Sequence, residues 1–244
     1  MVKHFTRADL ISAIKLAIQN SPYDCNTRGH GRAGNLLEEV LGIDGGNHDV
    51  ADAVGFELKT TLSPNTPVTL FHKDPKPRGK RGVPGATAIL VNQFGWPSTY
   101  GDKGDIVQSF RATIFGQWKS SHTDDILKVT ATNETVSISH NDNEVAYWDS
   151  NDLVAAAAAK LRNMMFVEAK AESDGKISFV GAHLFEDFQP FKFIKAIEGG
   201  DIAIDFDART IPGKSSIRNH GTKFRIKERN LMMIYGKTSA IDKL

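Results

Sequence analysis

Cysteine is nearly absent: Cys25 is the single one in 244 residues. An internal disulfide and a cysteine-based zinc site are therefore excluded, and the usage fits a reducing compartment. Long apolar runs are missing too. No stretch approaches the roughly 18 to 20 apolar residues that span a bilayer, and the opening Met1-Val-Lys-His-Phe-Thr6 lacks a signal-peptide core. A soluble protein of a bacterial-type cytoplasm, with no membrane partner, is the expectation. The eight histidines are not paired at metal-ligand spacing, and no Gly-rich phosphate loop occurs, so neither of those common catalytic schemes applies. Internal repeats and low-complexity segments are absent. With 40% hydrophobic residues the chain can bury an ordinary core without staples.

Excess charge of either sign is lacking, since the formal net charge is +1. Its distribution is uneven. Five basic residues and one acidic one lie between Lys73 and Arg81, and seven basic residues, counting His220, accompany one acidic residue from Lys214 to Arg229. Acidic residues gather instead around 38–57 and 186–207. A protein that combines an acidic metal site with basic, polyanion-facing loops has this neutral sum.

Periodicity gives a mixed order of elements. Thr6-Arg-Ala-Asp9 resembles a capping box with Asp in place of Glu, and Leu10, Ile11, Ile14 and Ile18 follow at helical spacing up to Asn20. A polar loop containing Arg28, His30 and Arg32 leads to a second helix at Gly34-Asn-Leu-Leu-Glu38-Glu39-Val-Leu41, with Leu37, Val40 and Leu41 facing the core. A strand is expected at Phe56–Thr61, with a neighbouring one at Val68–Phe71. Lys73 to Pro84, with three prolines and two glycines, reads as an exposed loop. Ala88–Phe94 and Phe110–Gln117 read as strands, and 126–132, 135–140 and 145–148 as a meander. A helix is predicted from Ser150 to Arg162, then strands at 165–171 and 177–184, a helix at 190–197 closed by Gly199-Gly200, and strands at 202–206 and 223–226. This order implies a mixed α/β or α+β fold without requiring a doubly wound parallel sheet.

Asp52-Ala-Val-Gly-Phe-Glu57-Leu-Lys59 carries the chemistry. Glu57 and Lys59 are two apart in an alternating run, so a strand points both to one face. Asp52 lies beyond Gly55, where a bend can return its carboxylate to the same place. Two carboxylates and an ammonium around one point suit a divalent metal that activates water beside a phosphodiester. An acidic-x-Lys pair is also a cheap pattern on a solvated strand, and Glu168-Ala-Lys170 repeats it. The context of the first pair therefore decides between the two.

The segments Gly34-Asn-Leu-Leu-Glu38 and Gly55-Phe-Glu57-Leu-Lys59-Thr60 together resemble the active-site region of the mismatch-repair nicking endonucleases of the MutH type. A wider resemblance covers most of the chain, to the MvaI/BcnI family of type II restriction endonucleases. Its blocks are Asp52-x4-Glu57-x-Lys59, Leu70-Phe-His72-Lys73-x-Pro75, Leu184-Phe-x-Asp187, Ile197-Glu-x-Gly-Asp-Ile202 and His220-Gly-Thr-x-Phe-Arg225-Ile226, in the family's order and at compatible spacing.

The resemblance implies a PD-(D/E)xK restriction-endonuclease-like catalytic core with a smaller C-terminal DNA-recognition lobe, divided as 1–187 and 188–244, the first lobe able to lend segments to the second. It implies that Asp52 and Glu57 bind Mg2+, with Mn2+ as a substitute, and that Lys59 acts on the attacking water or the phosphate, while the match to the MutH-type helix makes Glu38 an auxiliary acid. The MutH spacing leaves Asp49 as a competitor for the metal, whereas the MvaI/BcnI spacing favours Asp52. Double-stranded DNA is the implied partner. His72 and Lys73 would contact it, as would the Gly-rich loop residues Arg28 and His30. Arg209, Arg218, His220 and Arg225 would supply sequence choice, since Arg can donate two bonds to a guanine edge. Trp96, Trp118 and Trp148 read as core or edge aromatics. The expected activity is site-specific hydrolysis of duplex DNA by a monomer through sequential nicking, with a cognate DNA methyltransferase implied genetically. A MutH-like nickase and an inactive DNA-binding module are the alternatives.

Overall fold

Thr6 opens helix α1 (Arg7–Gln19) because its hydroxyl accepts from the Asp9 amide while the Asp9 carboxylate accepts from the Thr6 amide. This is the capping box expected from the sequence, and it satisfies donors that a helix end leaves orphaned. Leu10, Ile14, Ala17 and Ile18 form the buried stripe of α1. They share one apolar cluster with Leu36, Leu37 and Leu41 of α2 (Arg32–Leu41). Helix α2 starts before Gly34, and Leu36 is more deeply buried than the predicted Val40.

The protein is described by a computed structural model covering residues 5–29, 31–43, 55–63, 65–80, 82–102 and 104–241. His30, Asp49, Asp52 and Arg81 lie outside the described residues. The chain forms two compact units, each built from separated segments. The first comprises Met1–Val68, Ala157–Gln189 and Lys227–Leu244, and the second Thr69–Ala156 and Pro190–Ile226.

In the first unit a four-stranded sheet has the order β1 (Glu57–Thr61), β9 (Asn163–Ala171), β10 (Ile177–Phe188), β14 (Tyr235–Ile241). Strand β1 runs parallel to β9, with Glu57 opposite Met164 and Lys59 opposite Phe166, and the other pairings are antiparallel. Phe56, Leu58, Met165 and Val167 join the cluster under α1 and α2. Period-two alternation therefore sends Glu57 and Lys59 to the opposite face. Arg7 Nε and Nη2 donate to the two carboxylate oxygens of Glu186, both at 2.9 Å, and tie the first turn of α1 to β10.

The second unit has a six-stranded sheet in the order β2 (Val68–His72), β13 (Lys223–Ile226), β11 (Ile202–Thr210), β4 (Asp105–Ile114), β3 (Trp96–Tyr100), with β12 (Ile217–Asn219) also pairing β11. The predicted meander is present as the antiparallel sheet β5 (Gln117–Lys119), β6 (Ile126–Ala131), β7 (Thr135–His140), β8 (Asn143–Asp149). Helix α3 (Ala86–Phe94) packs against β4 and β8, and α5 (Pro190–Glu198) against β6 and β11. Helix α4 (Ser150–Leu161) carries the chain from the second unit back to the first. Beyond α5, Gly200 adopts φ +77° and its amide bonds to the Ile197 carbonyl, the predicted glycine stop.

Two expectations are corrected, and one strand is added. Ala88–Phe94 is helix α3: Ala86, Leu90, Val91 and Phe94 are its buried residues, a helical stripe that a short apolar run does not separate from a strand by itself. Strand β2 is not a neighbour of β1, because β1 pairs with β9, more than a hundred residues later, and β2 lies in the other sheet. Trp96–Tyr100 is a strand despite Pro97, which is tolerated because β3 is an edge strand. The short 3-10 helix Glu228–Ile234 and strand β14 had no counterpart in the sequence expectations.

Two stability outcomes follow. Phe166 is 0% exposed, so Phe166→Ala should cost about 3–5 kcal/mol, read from urea unfolding. Bonding to Arg7 holds the Glu186 carboxyl below its usual range against the opposing effect of burial, aided by the charges of Arg7 and Lys237. A depressed carboxyl pKa stabilises the fold above the unfolded value of about 4.3. The melting-temperature gap between the protein and Glu186→Gln should be constant at neutral pH and close as pH falls below that value through the depressed pKa.

Candidate active site and nucleic-acid contacts

Strand alternation turns Glu57 and Lys59 to one face, and packing then separates this pair from the cheap pattern. Glu57 is 0% exposed, whereas a solvated strand carboxylate would be open to water. Lys59 Nζ donates to Glu57 Oε1. A second ammonium comes from α4, with Lys160 Nζ 4.0 Å from the same oxygen. Both lysines are partly covered, with side-chain exposures of 23% and 18%. A buried carboxylate is costly unless paired, and here two cations converge on it. The repeated pattern behaves differently: Glu168 meets His183 at 3.0 Å, and the exposed Lys170 lies 3.6 Å from Glu172.

Tyr235, at the start of β14, is buried, and its hydroxyl has no hydrogen-bond partner among the described residues. Burial first, and then the negative charge of Glu57, push its pKa well above the ordinary phenol value. Tyr235 and Lys160 are absent from the sequence reading. No local motif marks them, since Lys160 ends an alanine-rich helix and Tyr235 begins a strand about 180 residues from Glu57. Glu38 lies on α2, which packs against β1, and its backbone carbonyl accepts from the Ile43 amide. Among the described residues no group of three or more His, Cys, Asp or Glu is arranged to hold a metal, and Asp52 and Asp49 are not among them.

The other sequence-selected residues of the second unit sit on β2, β11, β12, β13 and the turn before β13. His72 ends β2 and is exposed, and the Lys73 amide donates to the Thr222 carbonyl at 2.9 Å. Arg218 and His220 are exposed, the His220 amide bonding to the Asp207 carbonyl at 3.0 Å. Arg225 Nη1 lies 3.7 Å from Asp205 Oδ2, and Lys223 Nζ lies 3.6 Å from the same atom. Arg209 is only 5% exposed, with its guanidinium 3.3 Å from the centre of the Tyr100 ring. Arg209 and Arg218 are cross-strand partners between β11 and β12, and opposed like charges disfavour such a pair unless an anion neutralises them. In the first unit Arg28 is exposed in the loop before α2.

The basic loop after β2 is partly committed within the protein. Lys76 reaches Asp149 and Asp152 at 3.4 and 3.2 Å, and Arg78 reaches Asp74 at 3.4 Å. The tryptophans have structural contacts, as expected: Trp148 is buried and donates to the Lys73 carbonyl, Trp118 meets Phe110 edge-on, and Trp96 stacks on His122.

No curated protein matches the chain. Among solved structures, a complex of restriction endonuclease MvaI with cognate DNA substrate is similar, at 24% identity over 96% of this chain and 97% of that one, with a TM-score of 0.76. Restriction endonuclease MvaI in the absence of DNA is similar at 22% identity over 99% and 100% of the two chains, with a TM-score of 0.55. These likenesses show a shared mixed α+β fold. The model of the MvaI/BcnI restriction endonuclease family matches residues 11–235, a span that includes Glu57 and Lys59 together with His72, His220 and Arg225. The chain belongs to the MvaI/BcnI restriction endonuclease family.

Proposed function

We propose that this member of the family is a Mg2+-dependent type II restriction endonuclease that hydrolyses phosphodiester bonds at a short site in duplex DNA, as a monomer that nicks the two strands in succession. The observation that carries the proposal is the fully buried Glu57 carboxylate facing Lys59 and Lys160. A carboxylate held in that setting is a hard oxygen donor, which fits Mg2+. Glu57 and Asp52 would hold the ion, and Glu38 would be an auxiliary acid. Bound Mg2+ supplies a Lewis acid that lowers the pKa of water and stabilises charge on phosphoryl oxygens.

Lys59 has the strongest claim to a chemical role among the protein's own groups. Its ammonium is already fixed by Glu57, so little ordering is needed before it can donate to the attacking water or to a phosphoryl oxygen. Lys160 adds a second positive charge at the same carboxylate. The low exposure of all three groups strengthens these interactions relative to bulk water.

Duplex DNA would meet the second unit through His72, Lys73, Arg218, His220 and Arg225, and Arg28 and His30 of the first unit are further candidates for DNA contact. Phosphate contacts by Lys73 would set affinity and register, and base-edge contacts by Arg225 and His220 would set sequence choice. Arg209, stacked on Tyr100 and covered, could take part in recognition only by leaving that ring. No described helix is long and apolar enough to cross a membrane. A methyltransferase of matching specificity would protect the host genome.

Supercoiled plasmid incubated with the protein and Mg2+ should pass through open circles to linear DNA. Persistent open circles would instead indicate a nickase. Lys59→Ala should slow cleavage on the order of 100- to 1,000-fold, as expected when one transition-state donor is lost, and Lys160→Ala should slow it less. Chelation should stop the reaction and added Mg2+ restore it. Unchanged plasmid under every condition would remove the enzyme reading and leave a DNA-binding module. Lys73→Ala should weaken binding of all duplexes alike and reduce the salt slope by about one, the signature of a phosphate contact.

A further inference from the structure

Two segments of the second unit that are far apart in sequence are joined by one carboxylate. Asp74 Oδ1 accepts from the Thr222 amide at 2.9 Å, the Thr222 hydroxyl at 3.2 Å and Asn219 Nδ2 at 3.1 Å. Its other oxygen faces Arg78 Nη1 at 3.4 Å. The Asn219 side chain works in both directions, since its Oδ1 accepts from the Gly221 amide at 2.9 Å. The Lys73 amide bonds to the Thr222 carbonyl, and Trp148 Nε1 donates to the Lys73 carbonyl, both at 2.9 Å. Below this junction Phe71 stacks on Phe224, with ring centres 5.0 Å apart and planes 7° from parallel.

The turn so held passes directly over His72. Gly221 has φ +83°, and a Cβ at that position would lie 3.1 Å from His72 Cδ2. Glycine is favoured by the left-handed backbone, and a side chain there would press on the ring unless the imidazole gave by a few tenths of an ångström. Thr222 is 0% exposed, while His72 and His220 are exposed. The lock is thus anchored at the buried Thr222, while Asp74 is half-buried and Asn219 is exposed.

A carboxylate amid Lys73, Lys76 and Arg78 on a surface meant for DNA calls for a reason, because an acid there would repel phosphate. The reason is that its lone pairs are already engaged by four donors. Burial acts to raise the Asp74 pKa, but bonds from Thr222 and Asn219 and the charge of Arg78 outweigh it and hold the group below the usual carboxylate range. The carboxylate stays ionised at neutral pH and its charge is spent within the protein.

We propose that Asp74 is a positioning residue for sequence recognition, locking the end of β2 to the Asn219–Thr222 turn so that His72 and His220 face DNA as one rigid surface. This rests on the nuclease function proposed above. Asp74 itself touches no base, and its effect is on discrimination more than on the chemical step. Groups held within a fraction of an ångström read a base edge well, and the same groups on a loosened turn bind many sequences comparably.

The test uses the full chain and a duplex carrying the site mapped from the ends of wild-type digests, beside a duplex with one base pair of that site changed. Asp74→Ala should reduce the ratio of kcat/KM between the two duplexes by roughly 10- to 100-fold, the discrimination associated with a well-made base contact. The loss should fall mainly on KM for the mapped site, and affinity for random-sequence duplex should stay within about twofold of wild type. Asp74→Asn, which keeps the Oδ1 acceptor for the Thr222 amide, should recover part of the ratio. Exchange of the Thr222 amide should be faster in Asp74→Ala. If Asp74→Ala fails to fold by circular dichroism, Asn219→Ala, which removes one bond to Asp74 and one to Gly221, should produce the same smaller ratio. An unchanged ratio in the folded variants would overturn the positioning role and leave the nuclease reading intact. A wild-type protein that neither binds nor cuts duplex DNA would overturn the nuclease reading itself, and with it the proposed tie to recognition.

Discussion

A carboxylate buried completely at the head of β1 constrains everything placed around it. Removing an ionised group from water costs several kcal/mol even after relaxation, and Glu57 is tolerable because cations reach it from two elements. Lys59 is supplied by the pleat of the same strand, so its position follows from a two-residue spacing. Lys160 comes from α4, the helix that returns the chain to the first unit just before β9 pairs with β1 in parallel. Parallel pairing requires a crossover connection. In this protein the crossover contains most of the second unit and ends in the helix that delivers the second lysine. Strand β14 then brings the buried Tyr235 into the electrostatic reach of the same carboxylate.

Carboxylates also organise the basic surface of the second unit. Asp205 is nearly covered, accepts from the Thr113 hydroxyl at 2.6 Å, and lies behind Lys223 and Arg225. Asp207 is paired with Arg111, and Asp74 with Arg78. Lys223, Arg225, Arg111 and Arg78 thus each have an acid beside the charged end, which orients the cation. The near-equal numbers of acids and bases behind the formal net charge of +1 are thus partly interleaved in space. The neutral sum was read from the sequence as acidic and basic regions lying apart, and the side-chain contacts show that much of the cancellation is local. A pre-oriented guanidinium also loses less freedom on meeting a base edge than one that is free to rotate.

The sequence and the structure agree most closely where structure is local. The Thr6–Asp9 capping box, the alanine-rich helix at 150–161, the meander of β6 to β8 and the Gly200 stop each depend on residues within a few positions, and each is present. The disagreements arise where packing decides. Ala86–Phe94 is apolar enough to be a strand or a helix, and only its neighbours β4 and β8 select the helix. Val68–His72 has the alternation of a strand, but alternation carries no information about which sheet receives it. Asp74 was the variable position inside a recognisable block, and its bonds to Thr222 and Asn219 bridge about 145 residues.

By itself the sequence determined the family blocks, the strand that sends Glu57 and Lys59 to one face, the helix caps, and the basic stretches that contain Lys73 and Arg225. These follow from backbone periodicity and from residue chemistry over short spans. Tertiary structure alone decided that Glu57 is buried while the equally spaced Glu168 is partly exposed, that Lys160 and Tyr235 join the first, and that Asp74 holds a turn from the far end of the chain. Burial and long-range pairing are properties of the packed whole, because desolvation and hydrogen bonding depend on which atoms are brought close and not on their separation along the chain.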